Sequence, residues 1–291
     1  MTSVTSRTSR PSPTSRRKLL VGAWKAYLNH GEALSLARAL LPLSTRATAS
    51  RVGGEPGFEL AVCPSFISIV GVQQILADSS IQVGAQNLYW ESENGAFTGQ
   101  VTGEQLADLG CALVILGHSE LRALGESDEQ VNRRVRVALA KSILPIVCVG
   151  ESSSERDRGD AETRVAEQVL AAIDGLSSEQ VAELAFAYEP IWAIRSRENP
   201  DPTPATPEQA AVMHRVIREA LAERHGAAVA ETVRVLYGGS VGPDNAGQFA
   251  AESEIDGLLV GSASVKAQSF VGILEALASV AGDDGRRGDG A

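Results

Sequence analysis

Eight short apolar runs punctuate the chain: LLVGAW from residue 19, FELAVC from 58, IQVGAQ from 81, ALVILG from 112, LPIVCV from 144, LAFAYE from 184, VRVLYG from 233 and DGLLVG from 256. Each is continuous rather than alternating, the pattern of strands buried on both faces of a parallel sheet. Longer stretches of helical character separate them. GEALSLARALLPL places apolar residues at three- and four-residue steps. SDEQVNRRVRVALAK opens on Ser127, a good N-cap, with acids in its first turn. TPEQAAVMHRVIREALAERHG has Thr206 as cap, Pro207 at the first helical position and a glycine stop. Strand–helix alternation repeated eight times predicts a closed (β/α)8 barrel of one domain. The competing arrangement, an open doubly wound sheet, usually carries a glycine-rich first turn, and GAWKAYLN is not one.

The barrel is expected over residues 19–281. The first 18 residues, MTSVTSRTSRPSPTSRRK, are rich in Ser, Thr and Arg and lack acids, which reads as a disordered tail or, alternatively, a transit peptide. Residues 282–291 read as a solvated C-terminal tail. Composition changes this picture little. With 44% hydrophobic and 21% charged residues among 291, the chain can build a sizeable core. A net charge of -10 argues against nucleic acid as a partner, and no apolar run approaches the roughly 18 residues of a membrane span. Cys63, Cys111 and Cys148 lie far apart in apolar runs, which suits buried thiols in a reducing, cytoplasmic setting and offers no metal-site spacing.

In such a barrel, chemistry gathers where strands end. Lys25 follows the first run, Gln86 and Asn87 the third, His118, Ser119 and Glu120 the fourth, Glu189 the sixth, Ser240 the seventh, and Gly261 and Ser262 the eighth. Singly, each has an ordinary explanation: a solvated lysine, a histidine helix cap, a glutamate closing a turn, glycines in tight turns. Together they put a cation, an imidazole, a carboxylate and two small-residue turns on one rim. Small residues after strands seven and eight let backbone N–H groups approach a phosphate. A carboxylate facing an imidazole and an ammonium suits proton abstraction beside a carbonyl, the two donors stabilising the enediolate oxygens without metal or cofactor.

At this point the chain resembles the triosephosphate isomerase family. The fragments VGAWK, GAQN, NGAFTG, LGHSELR, GESDE, PIVCVGE, AYEPIWAI, YGGSV and DGLLVGSAS carry the resemblance, in order, from about residue 19 to 278. It implies a TIM barrel that interconverts dihydroxyacetone phosphate and glyceraldehyde 3-phosphate, with no cofactor. It implies Glu189 as base, His118 as neutral electrophile, Lys25 as the positive charge and Glu120 as a further active-site carboxylate. Ser240, Gly261 and Ser262 match the phosphate turns. Trp192 and Tyr188 flank the base, and the loop Gly95–Gly99 implies a homodimer.

Three departures matter. Ala23 stands where the family has an asparagine that contacts substrate, a lost hydrogen bond of about 1–3 kcal/mol. Gln100 and Leu121 stand where the family carries a Glu and an Arg that pair across the dimer, so both charges are gone together. The lid after Glu189 has Arg195, Ser196 and Arg197 in place of its Gly-Thr-Gly tip, then an insert with Pro200, Pro202 and Pro204. Either Arg195 or Arg197 clamps the phosphate, or the lid closes poorly and leaks methylglyoxal. Two other functions remain open at this level: isomerisation of a longer ketose phosphate such as a tetrulose phosphate, and non-catalytic binding of a sugar phosphate.

Overall fold

The structure, a computed structural model, describes residues 16–49, 51–52, 55–56, 58–194 and 199–287. All eight apolar runs form strands: β1 (Lys18–Ala23), β2 (Phe58–Cys63), β3 (Ile81–Val83), β4 (Leu113–Leu116), β5 (Leu144–Val149), β6 (Ala185–Tyr188), β7 (Arg234–Tyr237) and β8 (Gly257–Val260). Their order around the sheet is β3-β2-β1-β8-β7-β6-β5-β4, every pairing parallel. The two ends meet through Ala85. Its N–H donates to Leu113 O at 2.9 Å and its carbonyl accepts from Ile115 N–H at 3.0 Å, so the eight-stranded sheet closes on itself.

Continuous apolarity has a direct reason here. Successive side chains point to opposite faces of a strand, and both faces are covered. In β1, Leu19, Val21 and Ala23 fill the barrel interior, while Leu20 packs outward against the helical layer. The interior is narrow, and Ala61, Ala185 and Ala187 supply small volumes within it. The helix at Asp128–Ala140 starts with a capping box between Ser127 and Gln130, and the one at Pro207–His225 with a box between Thr206 and Gln209. The three cysteines are free and buried.

The ends of the barrel differ from the expected boundaries. Lys18 already belongs to β1, and Arg16 lies against the barrel floor. Arg16 Nε donates to Asp256 Oδ1 at 2.7 Å, while Arg218 Nη2 takes Asp256 Oδ2 at 2.5 Å. Two guanidiniums thus share one buried carboxylate and fix the chain before the first strand. At the other end, the last helix runs from Ala267 to Arg287, past residue 281, with no proline to remove a helical donor.

Behind β6, His214 is fully buried and set edge-on to Tyr188 at 6.0 Å. Its Nδ1–H donates to Glu254 O at 3.1 Å, and Nε2 has no partner. Burial pushes its pKa from 6.5 down to about 4, with Arg218 and Lys18 adding to the effect and Glu254 O and Asp256 opposing it. Between these two values the unfolded chain binds a proton that the folded chain does not. Stability from the neutral ring is therefore complete above pH 6.5 and is lost as pH falls towards 4. Urea titrations of wild type and His214→Gln should show the wild type losing about 2.5 kcal/mol relative to the variant between pH 7 and 4.5. Parallel curves for the two proteins would contradict this origin.

Candidate active site

The C-terminal ends of the strands gather the predicted polar residues. Glu189 follows β6 directly, its N–H donating to Val149 O at 2.8 Å, which continues the β5–β6 ladder into the site. The residue is buried, 2% exposed. Gly150 makes this approach possible, since a Cβ there would collide with the Glu189 carbonyl. One carboxylate oxygen accepts from Ser119 N–H at 2.9 Å and the other lies 2.9 Å from His118 Nε2. Burial alone would push the Glu189 carboxyl up. The His118 ring, the Ser119 N–H and the Lys25 ammonium outweigh it and hold the group below its ordinary value, so it stays ionised.

His118 caps the short helix Ser119–Ala123, its Nδ1 accepting from Glu120 N–H at 3.2 Å. A nitrogen that accepts carries no proton, so the neutral ring holds its hydrogen on Nε2, towards Glu189. The ordinary explanation for this histidine, a helix cap, is thus realised. It coexists with a functional orientation because the cap uses only one ring nitrogen.

Lys25 has a backbone φ of +46°, the left-handed region that residues with side chains seldom occupy. Such strain costs about 1–3 kcal/mol and persists when neighbours impose it. Gln86 is one of them: its Nε2 donates to Lys25 O at 2.8 Å and to Cys63 O at 3.0 Å. The result aims Lys25 Nζ at Glu120 Oε1, 2.7 Å away. It also lays the lysine over Gly261, where a Cβ would sit 3.5 Å from Lys25 Cε. Lys25, Glu120, His118 and Glu189 therefore form one continuous polar array. Gly261 lies beside it and the exposed Ser262 opens a 3-10 turn. Ser240 is placed differently from a free phosphate donor. Its Oγ donates to Ala193 O at 2.8 Å, tying the β7 turn to the segment after Glu189.

That segment is also held by Glu151, which sequence reading passed over. Glu151 is fully buried, and its Oε1 accepts from Trp192 Nε1 at 2.7 Å, Tyr188 OH at 3.0 Å and Arg156 Nη1 at 3.2 Å. Arg156 also lies over the Trp192 ring, 4.3 Å from its centroid. The available signal was a carboxylate placed directly after the apolar run LPIVCVG. Asn199, at the start of the insert, donates from Nδ2 to Trp192 O at 2.8 Å. Arg195 and Arg197, the proposed phosphate clamps, lie outside the described residues. Ala23 is buried in the barrel interior, an apolar floor where the resemblance implied an amide.

Chemically, the array offers a shielded carboxylate, an imidazole N–H and an ammonium around one point, with small-residue turns next to the ammonium. The family model described as Triosephosphate isomerase matches residues 18–277. The chain is 47% identical over 260 residues to the triosephosphate isomerase of Chloroflexus aurantiacus, spanning 89% of this chain and 98% of the relative. It is 44% identical over 263 residues to that of Roseiflexus sp., spanning 90% and 98%. To that of Rhodopirellula baltica it is 40% identical over 266 residues, spanning 91% and 99%.

Proposed function

Since the chain belongs to the triosephosphate isomerase family, we propose that it interconverts dihydroxyacetone phosphate and D-glyceraldehyde 3-phosphate, with Glu189 as the base. The observation that carries this reading is the buried, ionised Glu189 carboxylate within 2.9 Å of the His118 Nε2. When substrate enters, Glu189 leaves its contacts with Ser119 and His118 and takes the proton from the carbon beside the carbonyl. The Nε2–H it releases then donates to the substrate oxygen. Triosephosphate isomerase is itself the standard example of such a neutral histidine electrophile. The Lys25 ammonium stabilises the negative charge of the enediolate, His118 Nε2 gives its proton to the charged oxygen and takes the hydroxyl proton from the neighbouring oxygen, and Glu189 returns the carbon-bound proton to the neighbouring carbon. Glu120 keeps Lys25 oriented through the 2.7 Å ion pair. Backbone N–H groups at Ser240, Gly261 and Ser262 receive the phosphate, and Lys25 contributes charge from above Gly261.

The protein acts in the cytoplasm as a homodimer in this reading. Among the described residues no helix is long and apolar enough to cross a membrane. Exposed Tyr27, Phe66, Ile67 and Val70 support an interface. The contact of His30 Nδ1 with Ser68 Oγ at 3.3 Å draws the segments carrying them together. Leu124, 85% exposed, and the neutral Leu121 extend the apolar character without stranding a charge.

A coupled assay on the purified protein tests the function, offering glyceraldehyde 3-phosphate and a tetrulose phosphate separately. Strong triose turnover with weak tetrulose turnover is expected. Turnover of the tetrulose alone would make Ala23 and the lid insert determinants of a longer substrate, and no turnover on either would leave a binding protein. Sedimentation of the same preparation should show a dimer at micromolar concentration, and a lone monomer boundary would remove the dimer.

A further inference from the structure

Arg122 lies four residues beyond the helix-capping His118 and touches no position a substrate would occupy, yet it contacts the backbone on both sides of the catalytic pair. Its own N–H donates to His118 O at 3.1 Å. Its side chain turns back, and Nε donates to Gly117 O at 2.7 Å. Both carbonyls flanking the His118 peptide unit are thereby bound by one residue. Nη2 reaches across to β5 and donates to Cys148 O at 3.3 Å. The next residue on that strand, Val149, holds the N–H of Glu189. Nη1 pairs with Asp128 Oδ1, and Asp128 Oδ2 meets Arg164 Nη1 at 3.1 Å. Asp128 is held below the ordinary carboxylate value: burial pushes it up, and Arg122 and Arg164 more than reverse that. The Arg122 side chain is only 12% exposed.

Gly117 is where this geometry is needed. Its φ of +68° lets the chain leave β4 in a left-handed step that turns His118 into the site. A glycine in that conformation supplies no side chain to fix the turn, and Arg122 supplies the constraint from outside. The guanidinium meets the two carbonyls and the carboxylate with three separate nitrogens in a fixed plane, whereas an ammonium would have to reach all three acceptors from one nitrogen.

We propose that Arg122 is a positioning residue that sets the spacing between His118 and Glu189 by tying the end of β4 to the end of β5. The inference rests on the isomerase reading above. Its consequence is that charge at residue 122 is insufficient and the fork geometry is required. A displacement of the order of an ångström in such a pair costs up to about 10²-fold in rate.

The test compares wild type, Arg122→Lys and Asp128→Asn in the triose assay, with inhibition by inorganic phosphate and the two-bond 1H–15N spectrum of the His118 ring as companion readouts. Arg122→Lys should lower kcat by about 10- to 100-fold, leave KM and phosphate inhibition within about threefold of wild type, and shift the His118 ring resonances. Asp128→Asn, which keeps the carbonyl bonds but loosens the guanidinium, should lower kcat by only a few-fold. It decides the matter alone if Arg122→Lys fails to fold. Wild-type kcat in the variants with only a lowered Tm would reduce Arg122 to a fold-stabilising ion pair and overturn the proposal. So would a kcat loss matched by an equal loss of phosphate binding, which would mark collapse of the whole site. A wild type without triose turnover would defeat the isomerase reading instead, and the His118 resonances would still judge the positioning role.

Discussion

Glu189→Gln should lower kcat/KM for glyceraldehyde 3-phosphate by about 10³- to 10⁴-fold, or about 4–5.5 kcal/mol of transition-state stabilisation. The substitution conserves shape, so the loss isolates the proton-accepting function. The amide oxygen can still accept from Ser119 N–H, as the carboxylate does at 2.9 Å. The amide nitrogen would face the His118 Nε2–H, donor against donor, which adds a loss of orientation. The fold favours the ionised carboxylate, so the variant should also lose some stability, and its activity is compared well below its own Tm. The wild-type pH profile carries the companion expectation. Because Glu189 is held below the ordinary glutamate value of 4.5, it remains a competent base as acidity rises past that value. Once the substrate phosphate's own ionisation is divided out, the acid limb of kcat/KM should lie below pH 4.5. A variant within tenfold of wild type would remove Glu189 as the base.

His118→Gln should cost about 10²- to 10³-fold in kcat, the usual effect of losing one donor to a developing oxyanion. The reason is the division of labour on the ring. Nδ1 is committed to the Glu120 N–H, so the proton on Nε2 has one direction to point. A glutamine can present an N–H, but nothing fixes its amide in the same orientation, and its oxygen competes for the same space. KM should change little, because the interaction strengthens only as negative charge develops on the oxygen. A tenfold rise in KM with kcat unchanged would assign His118 to ground-state binding instead.

The sequence carried most of the architecture because strands of a closed parallel barrel are buried on both faces, leaving continuous apolar runs that are hard to mistake. All eight runs became strands, with closure through Ala85. The placement of Lys25, His118, Glu120, Glu189, Gly261 and Ser262 on one rim was legible because barrel topology sends the C-terminal ends of all strands to the same side. Helix starts at Ser127 and Thr206 were equally visible, since a capping box is a contact between residues three apart.

Tertiary structure alone decided the rest. Gln86 imposes a left-handed backbone on Lys25 from 61 residues away, and no local pattern encodes such a bond. Glu151 follows an apolar run and Arg122 looks like an ordinary surface charge in sequence; burial and partners brought from elsewhere in the barrel give them their roles. Ser240 reads as a phosphate residue, yet its hydroxyl is bound to Ala193 O. Arg16 reads as part of a disordered tail or transit peptide, yet it shares the buried Asp256 with Arg218. The physical division is one of range. Periodicity, caps and strand ends are set by neighbours along the chain, whereas a hydrogen bond between distant residues exists only after the barrel has brought them within about 3 Å.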